Sequence, residues 1–219
     1  MKVAVLGAGP AGLYFAISMK RRNPAHEITV FERNRPDDTF GWGVVLSAET
    51  LDNLAANDAV SAAWIREYFA YWDDIAVLHK GVRTVSTGHG FCGIGRRRLL
   101  LLLQRRARDL GIDLRFETEI DDPKPFMASH DLVIGADGLN SRSRAAFAEV
   151  FKPDIDVRKC KFVWLGTRQK FDDAFTFIFE ETEHGWVWAH AYQFEPETAT
   201  FIVECSEEAW AAWGFGDMT

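Results

Sequence analysis

Residues 1–32 read MKVAVLGAGPAGLYFAISMKRRNPAHEITVFE. Lys2 to Leu6 is a short apolar run that stops at a glycine cluster, which predicts a buried strand. Pro10 suits the first turn of a helix, because the N–H it lacks has no partner there. The helix should run to Arg22 and stop at Asn23-Pro24, since the residue before a proline disfavours helical backbone. Glu27 to Glu32 then reads as a second strand. Strand, helix and strand in this order start a parallel sheet with helices on its faces.

The turn between strand and helix, Gly7-Ala8-Gly9-Pro10-Ala11-Gly12, is a G-x-G-x-x-G sequence. Its first glycine permits the tight turn, its second lets the backbone approach a pyrophosphate, and its third lets helix and strand pack closely. The following helix offers free N–H groups and a positive dipole end to an anion. Glu32 stands at the end of the second strand, twenty residues after Gly12. A carboxylate there accepts hydrogen bonds from ribose hydroxyls and repels a 2′-phosphate. Gly7, Gly9, Pro10, Ala11, Gly12 and Glu32, with the adjoining Arg33, form a candidate site for an adenine dinucleotide. The alternative is a glycine turn in an ordinary β-α-β unit.

The same motif serves FAD and NAD. Residues 130–144, HDLVIGADGLNSRSR, favour FAD. A buried strand ends there in Gly-Ala-Asp-Gly; Asp137 can accept from a ribityl or ribose hydroxyl, and Gly138 allows close backbone approach. The plainer reading of Asp137 is a cap for the next helix. Arg96 opens the helical stretch RRRLLLLLQRRAR and fits a phosphate clamp, because a guanidinium fork matches phosphate oxygens. Most of the other arginines read as a solvated face.

The 219 residues carry a formal charge of −7, which argues against nucleic-acid binding. Cys92, Cys160 and Cys205 lie far apart, with no C-x-x-C pair, so neither a disulfide framework nor a metal site is indicated and a reducing cytoplasm is expected. No apolar run approaches membrane-spanning length.

Further along, residues 48–57 and 60–72 read as helices, and 75–85 as two strands joined near Lys80-Gly81. The glycine-rich GHGFCGIG, residues 88–95, leads into the arginine-rich helix. After Pro153 the pattern changes. Residues 162–167, 175–180, 186–194 and 200–205 read as an antiparallel meander, and 14 of the 29 aromatic side chains lie in residues 160–219. The expected class is α/β: a Rossmann-like FAD-binding parallel sheet over 1–155, then a partial antiparallel β substrate domain over 156–219, incomplete as a domain and suggesting a fragment.

With these residues assembled, the sequence resembles the single-component FAD aromatic hydroxylases, the p-hydroxybenzoate hydroxylase superfamily. The resemblance rests on GAGPAG with Glu32, the Arg96-x-x-Leu99 helix start and GADGLNSRSR, and it covers essentially the whole chain. The strings DTFGWGVVLS, GHGFCGIGRRRLL, KFVWLGT, FDDAFTFIFEETEHGWVWAHAY and TFIVECSEE resemble the branch acting on aryl-CoA thioesters such as salicylyl-CoA or 2-aminobenzoyl-CoA. Many family members carry an arginine just before the glycine equivalent to Gly43, where this chain has Trp42. The resemblance therefore implies flavin contact at Trp42 and Gly43 through backbone and ring stacking. It also implies ring hydroxylation with FAD, dioxygen and NAD(P)H as transient reductant, and a small aromatic partner in place of nucleic acid or membrane. The family's later Gly-Asp flavin segment has no counterpart beyond Gly216-Asp217, which puts turnover by these residues alone in doubt. The competing readings are an NAD-linked dehydrogenase and a nucleotide-binding fragment without turnover; GADGLNSRSR weighs against the first.

In residues 186–194 a period of two puts Trp186, Trp188, His190, Tyr192 and Phe194 on one face of a strand. Either face could serve: Trp186, Trp188 and Tyr192 by stacking on a substrate ring, or Gly185, Val187, Ala189, Ala191 and Gln193 by leaving space for flavin and substrate; His190 is a candidate base for a phenol. The alternative is that the aromatics are core. His79 and His89 carry no stronger signal.

Overall fold

The computed structural model describes residues 1–171 and 174–217. Asp172 and Asp173, within the FDDAFT string, and Met218 and Thr219 lie outside the described residues. In chain order the elements begin β1 (Lys2–Leu6), α1 (Pro10–Arg22), β2 (Glu27–Phe31), β3 (Gly43–Ser47), α2 (Ala48–Asn57), α3 (Ala59–Arg66) and β4 (Ala70–Trp72). There follow β5 (Asp74–His79), β6 (Val82–Ser86), β7 (Phe91–Gly95), α4 (Arg96–Asp109), β8 (Asp113–Arg115), α5 (Lys124–Ser129) and β9 (Leu132–Gly135). The last are α6 (Arg142–Ala146), α7 (Ala148–Phe151), β10 (Lys161–Thr167), β11 (Ala174–Thr182), β12 (Gly185–Glu195), β13 (Thr198–Cys205) and α8 (Glu207–Ala212).

The chain divides into two compact units. The first takes Met1–Thr39, Asn53–Ile65 and Arg97–Ile155; the second takes Phe40–Asp52, Arg66–Arg96 and Asp156–Thr219. The sequence draws one line near 155, and everything after it does fall in the second unit. The two earlier segments of that unit join it through pairing at long sequence separation, which no local pattern reports.

The first unit is built on a parallel sheet of order β8-β2-β1-β9. Val3 and Val5 of β1 and Leu13 and Ile17 of α1 are fully buried, the close strand–helix packing that the glycine turn anticipates. On the sheet, Ala4, Leu6 and Phe31 form a cluster completed by Ile120, Phe126 and Val133. Lys20, Arg21 and Arg22 sit in the last turn of α1, where cations complement the helix dipole.

One buried charge ties three segments of this unit together. Asp58 has no exposed side-chain surface. Its carboxylate accepts from Arg106 Nε at 2.8 Å and Nη2 at 3.0 Å, and also from Arg21 Nη1. The backbone N–H of Ser61 donates to it at 3.2 Å, so Asp58 caps the start of α3 as well. Burial alone would raise its pKa. The bonds from Arg106, Ser61 and Arg21 prevail and hold it well below the usual carboxylate range.

The second unit holds two sheets, one of order β10-β13-β12-β11-β5-β6 and one of order β3-β7-β4. Trp72, Tyr192 and Phe194 are buried together, with Val45, Ala70, Phe91 and Phe175 packed around them. Three local expectations give way here. The helix expected over 60–72 ends at Arg66, and Ala70–Trp72 is a strand paired with β7, because Trp72 stacks on Tyr192 with centroids 5.7 Å apart. The GHGFCGIG stretch is itself largely strand β7, and Gly93 leaves room for the Trp72 ring, whose Cη2 a Cβ would meet at 2.8 Å. The expected meander holds for β11, β12 and β13, but β10 pairs with β13, and β11 pairs in parallel with β5.

Replacing Asp58 by Asn should cost about 3–5 kcal/mol of stability at pH 7, because two arginines lose a buried anion. The depressed folded-state pKa makes this contribution full above the unfolded carboxylate value, about 3.9, and loses it as pH falls through the folded value. The difference in unfolding free energy between wild type and D58N should therefore be constant from pH 7 to about 5 and shrink on further acidification. Denaturant titrations at a series of pH values measure it.

Candidate functional site

In the first unit the glycine loop is fixed by its own crowding. Gly7 has φ +110°, and its N–H donates to Phe31 O at 2.8 Å. A Cβ on Gly7 would lie 2.3 Å from Ala136 O, and one on Gly12 would lie 2.0 Å from Gly7 O. Strand β1, helix α1 and the loop after β9 meet here at backbone distance. Gly9 differs: among the described residues, nothing lies within 4 Å of where its Cβ would be. It starts α1 with no side-chain cap, so the early amides of the helix face that open space without a side-chain partner.

Glu32 closes this cradle from the next strand. Its Oε2 accepts from Ala8 N at 2.9 Å, and its Oε1 accepts from Asn34 N at 2.9 Å and Asn34 Nδ2 at 2.8 Å. The carboxylate is thus oriented by the loop that it flanks, with lone pairs left for sugar hydroxyls. Asp137 takes the plainer of its two readings. Ser141 Oγ donates to it at 2.6 Å and Ser143 N at 2.9 Å, so it braces the start of α6, where Ser141 is the cap. Burial opposes its ionisation, and the Ser141 and Ser143 bonds outweigh that and lower its pKa. Gly138, at φ +80°, has open space where a Cβ would stand. Thr39 Oγ1 is buried without a hydrogen-bond partner among the described residues, a group that sequence reading gave no reason to select.

In the second unit, Arg96 N donates to Trp42 O at 2.7 Å. Its guanidinium Nε is buried without a partner among the described residues. Gly43 spends both backbone groups inside the unit: its N–H donates to Thr200 Oγ1 at 3.0 Å, and its carbonyl accepts from Tyr192 OH at 2.7 Å. The Trp42 indole lies over Gly166, where a Cβ would meet its Cδ2 at 2.5 Å, and 46% of the residue stays exposed. Trp164 lies over Gly41 in the same way. Two tryptophan–glycine contacts thereby fasten the loop to β10.

These observations fit FAD. In the first unit, an open patch over Gly9, an uncapped helix start and an unpaired Thr39 hydroxyl suit an anionic dinucleotide, and Gly7, Gly9, Ala11, Gly12, Glu32 and Gly138 would hold it. The second unit, by itself, offers the unpaired Arg96 Nε to an anion. No group of three or more His, Cys, Asp or Glu able to hold a metal occurs among the described residues.

Strand pairing lays out the aromatic face of the second unit row by row. Phe162, Glu204, Trp188, Phe179 and His79 form one row, and Trp164, Ile202, His190, Phe177 and Val77 the next. The row after that, with Thr200, Tyr192 and Phe175, is packed under Trp72 and Phe91. The strand's aromatics therefore divide. Tyr192 and Phe194 are core, and Tyr192 is 4% exposed with its hydroxyl on Gly43, so burial raises its pKa. Trp186 is 43% exposed, and its ring lies 5.6 Å from that of His79. His190 is half-buried, with its ring 5.8 Å from those of Phe175 and Phe177. Burial lowers its pKa and the Glu204 carboxylate opposes that, leaving it a neutral base near pH 7. Trp188 Nε1 donates to Glu204 Oε2. Glu204 was invisible as a site residue in the sequence, because only the β12–β13 register puts it opposite Trp188. His89 stacks on Phe91 and shares a 2.8 Å hydrogen bond with Ser86 Oγ.

Residues 1–96 match the pyridine nucleotide-disulphide oxidoreductase family. A salicyloyl-CoA 5-hydroxylase from Streptomyces is 46% identical over 98% of this chain, which covers 41% of that protein. The protodeoxyviolaceinate monooxygenase of Chromobacterium violaceum is 35% identical over all of this chain, which covers 59% of it. Among solved structures, the tetrameric form of 2-methyl-3-hydroxypyridine-5-carboxylic acid oxygenase superposes with a TM-score of 0.80 at 20% identity, over 94% of this chain and 59% of that one. The chain is thus similar along nearly all its length to a hydroxylase and to a monooxygenase, and its fold is that of a solved oxygenase. The particular resemblance is to salicyloyl-CoA 5-hydroxylase, and the chain spans between two-fifths and three-fifths of the curated relatives named here.

Two substitutions separate space kept for a ligand from space needed by the fold. Gly9→Val should leave the melting temperature of the protein nearly unchanged, since Gly9 has φ −67° and open surroundings, yet reduce FAD affinity at least 100-fold. Gly12→Val should destabilise the unit itself, because its Cβ meets backbone. Thermal melts and flavin fluorescence titration together read both outcomes.

Proposed function

We propose that this chain is the FAD-binding and substrate-sheet portion of an aromatic monooxygenase that consumes dioxygen and NAD(P)H, with an aryl-CoA thioester as substrate. The observation carrying the reading is the open, uncapped helix start beside Glu32, in a chain that matches such an enzyme along nearly its whole length. Bound FAD would supply the oxygen-transfer chemistry. The chain's own residues do the rest. Gly9 and the first amides of α1 take the diphosphate and Glu32 takes a ribose, with Arg33 and Asp137 holding the local backbone of the first unit. The second unit, by itself, offers the Arg96 guanidinium to an anion, and Trp42 holds its loop in place.

The aromatic substrate lies on the open rows of the β10–β13 face. Trp186 and Trp188 give it apolar surface, and Tyr192 supports them from the buried row. His190, kept neutral by burial, accepts the proton of a ring hydroxyl. An apolar wall around that point excludes water from the reacting ring. None of the described helices is long and apolar enough to cross a membrane. The three free cysteines, one of them exposed, support a reducing cytoplasm as the place of action.

The test uses the full-length protein that carries this chain. It should purify yellow with close to one FAD per chain, and salicylyl-CoA or 2-aminobenzoyl-CoA should stimulate its NADH or NADPH oxidation several-fold with formation of hydroxylated product. A colourless protein that takes up no FAD overturns the reading. NAD reduction without flavin would instead place it among the dehydrogenases.

A further inference from the structure

We propose that Glu204, held across the strands by the Trp188 indole, is a positioning residue whose carboxylate, diagonal to His190 on the aromatic face, stabilises the protonated imidazole. The inference deepens the monooxygenase reading and rests on it for the identity of the substrate, a hydroxyaryl thioester. The geometry is set by pairing alone. Trp188 stands opposite Glu204 and His190 opposite Ile202, so Glu204 is the diagonal neighbour of His190 on the same face. At that separation a long side chain reaches its neighbour. The Trp188 N–H donates to one carboxylate oxygen, which holds the carboxylate in the row next to that of His190.

Among the described residues of this face, Glu204 is the carboxylate diagonal to His190. On the β11 side His190 meets the rings of Phe175 and Phe177. The other titratable groups on this face are Tyr192 on the same strand, His79 on β5 and Glu181 on β11. Tyr192 is committed to Gly43, His79 stacks on Trp186, and Glu181 pairs with Lys80 at 3.2 Å. β10 contributes Phe162 and Trp164, and β6 contributes Val82, Thr84 and Ser86. The packed residues of the three-stranded sheet are Val45, Ala70, Trp72 and Phe91. A half-buried imidazole among such neighbours resists protonation. The Glu204 carboxylate restores its capacity to take a proton.

The step is a simple transfer. The substrate's ring O–H bond breaks, an N–H bond forms on His190, and a phenolate remains. The new imidazolium gains the field of the Glu204 carboxylate, its diagonal neighbour on the face, which keeps its bond from Trp188. The phenolate oxygen pushes electron density into the ring that is to be hydroxylated.

The experiment follows His190 directly in the full-length protein. Diethyl pyrocarbonate reacts with neutral imidazole, so the pH dependence of His190 acylation, read by mass spectrometry of its peptide, gives the midpoint of its titration. Glu204→Gln should lower that midpoint by about one pH unit. Glu204→Asp should keep it close to wild type. Trp188→Phe, which retains a ring but lacks the N–H, should lower it by a smaller amount. With salicylyl-CoA as substrate, the acid limb of the kcat profile should move with the midpoint in each variant. An unchanged His190 midpoint in Glu204→Gln overturns the proposal. If that variant does not fold, an unchanged midpoint in Trp188→Phe does so. A midpoint that shifts in a protein taking up no FAD leaves the His190–Glu204 pair standing and removes the monooxygenase reading; turnover with an unmoved midpoint does the reverse.

Discussion

Everything in the first unit depends on three stretches of backbone meeting without side chains between them. Gly7 sits against the carbonyl of Ala136, and Gly12 sits against the carbonyl of Gly7. Strand β1, the start of α1 and the turn after β9 can approach so closely only because neither glycine carries a Cβ. That contact fixes the start of α1 against β1, and it is on this helix start that the proposed diphosphate site rests. Glu32 extends the same logic: by accepting the Ala8 N–H it stiffens the loop, and the stiffened loop in turn holds its carboxylate in place.

The second unit uses one sheet face for two purposes. At the Tyr192 end, rings stack under Trp72 and Phe91, and the Tyr192 hydroxyl is consumed by Gly43. At the Trp186 end the same face opens, with Trp186 43% exposed, and its polar groups pair with side chains, Trp188 with Glu204 and Glu181 with Lys80. The gradient follows from coverage. The β3-β7-β4 sheet packs on the first end through Val45, Ala70, Trp72 and Phe91. His190 lies at the boundary, where burial lowers its pKa and the Glu204 carboxylate opposes that shift. Such intermediate positions are where a side chain's chemistry is most sensitive to one neighbour.

Particular elements mark how far the sequence carried. The β-α-β start, its glycine turn and Glu32 were legible because strand, turn and helix signals there are local and agree with one another. The alternation in 186–194 was legible for the same reason. Residues 60–72 were misread because an apolar helical spacing continued past Arg66, while the true fate of Trp72 depended on Tyr192, 120 positions away. The glycines of GHGFCGIG suggested a loop, whereas Gly93 serves as a hollow for the Trp72 ring. Asp137 was weighed both as ligand and as cap, and only hydrogen-bond geometry shows its oxygens on Ser141 and Ser143.

The sequence by itself determined the class of fold, the place of the glycine turn between β1 and α1 and the face on which the β12 aromatics lie. Each of these follows from spacing within a few residues, where the period of a helix or strand acts directly. Tertiary structure alone decided which aromatics are core and which are open, that both oxygens of Asp137 are taken by Ser141 and Ser143, and that Glu204 is the diagonal neighbour of His190. Those facts depend on register between strands and on what covers a sheet, and a shift of one residue in pairing would reverse every one of them.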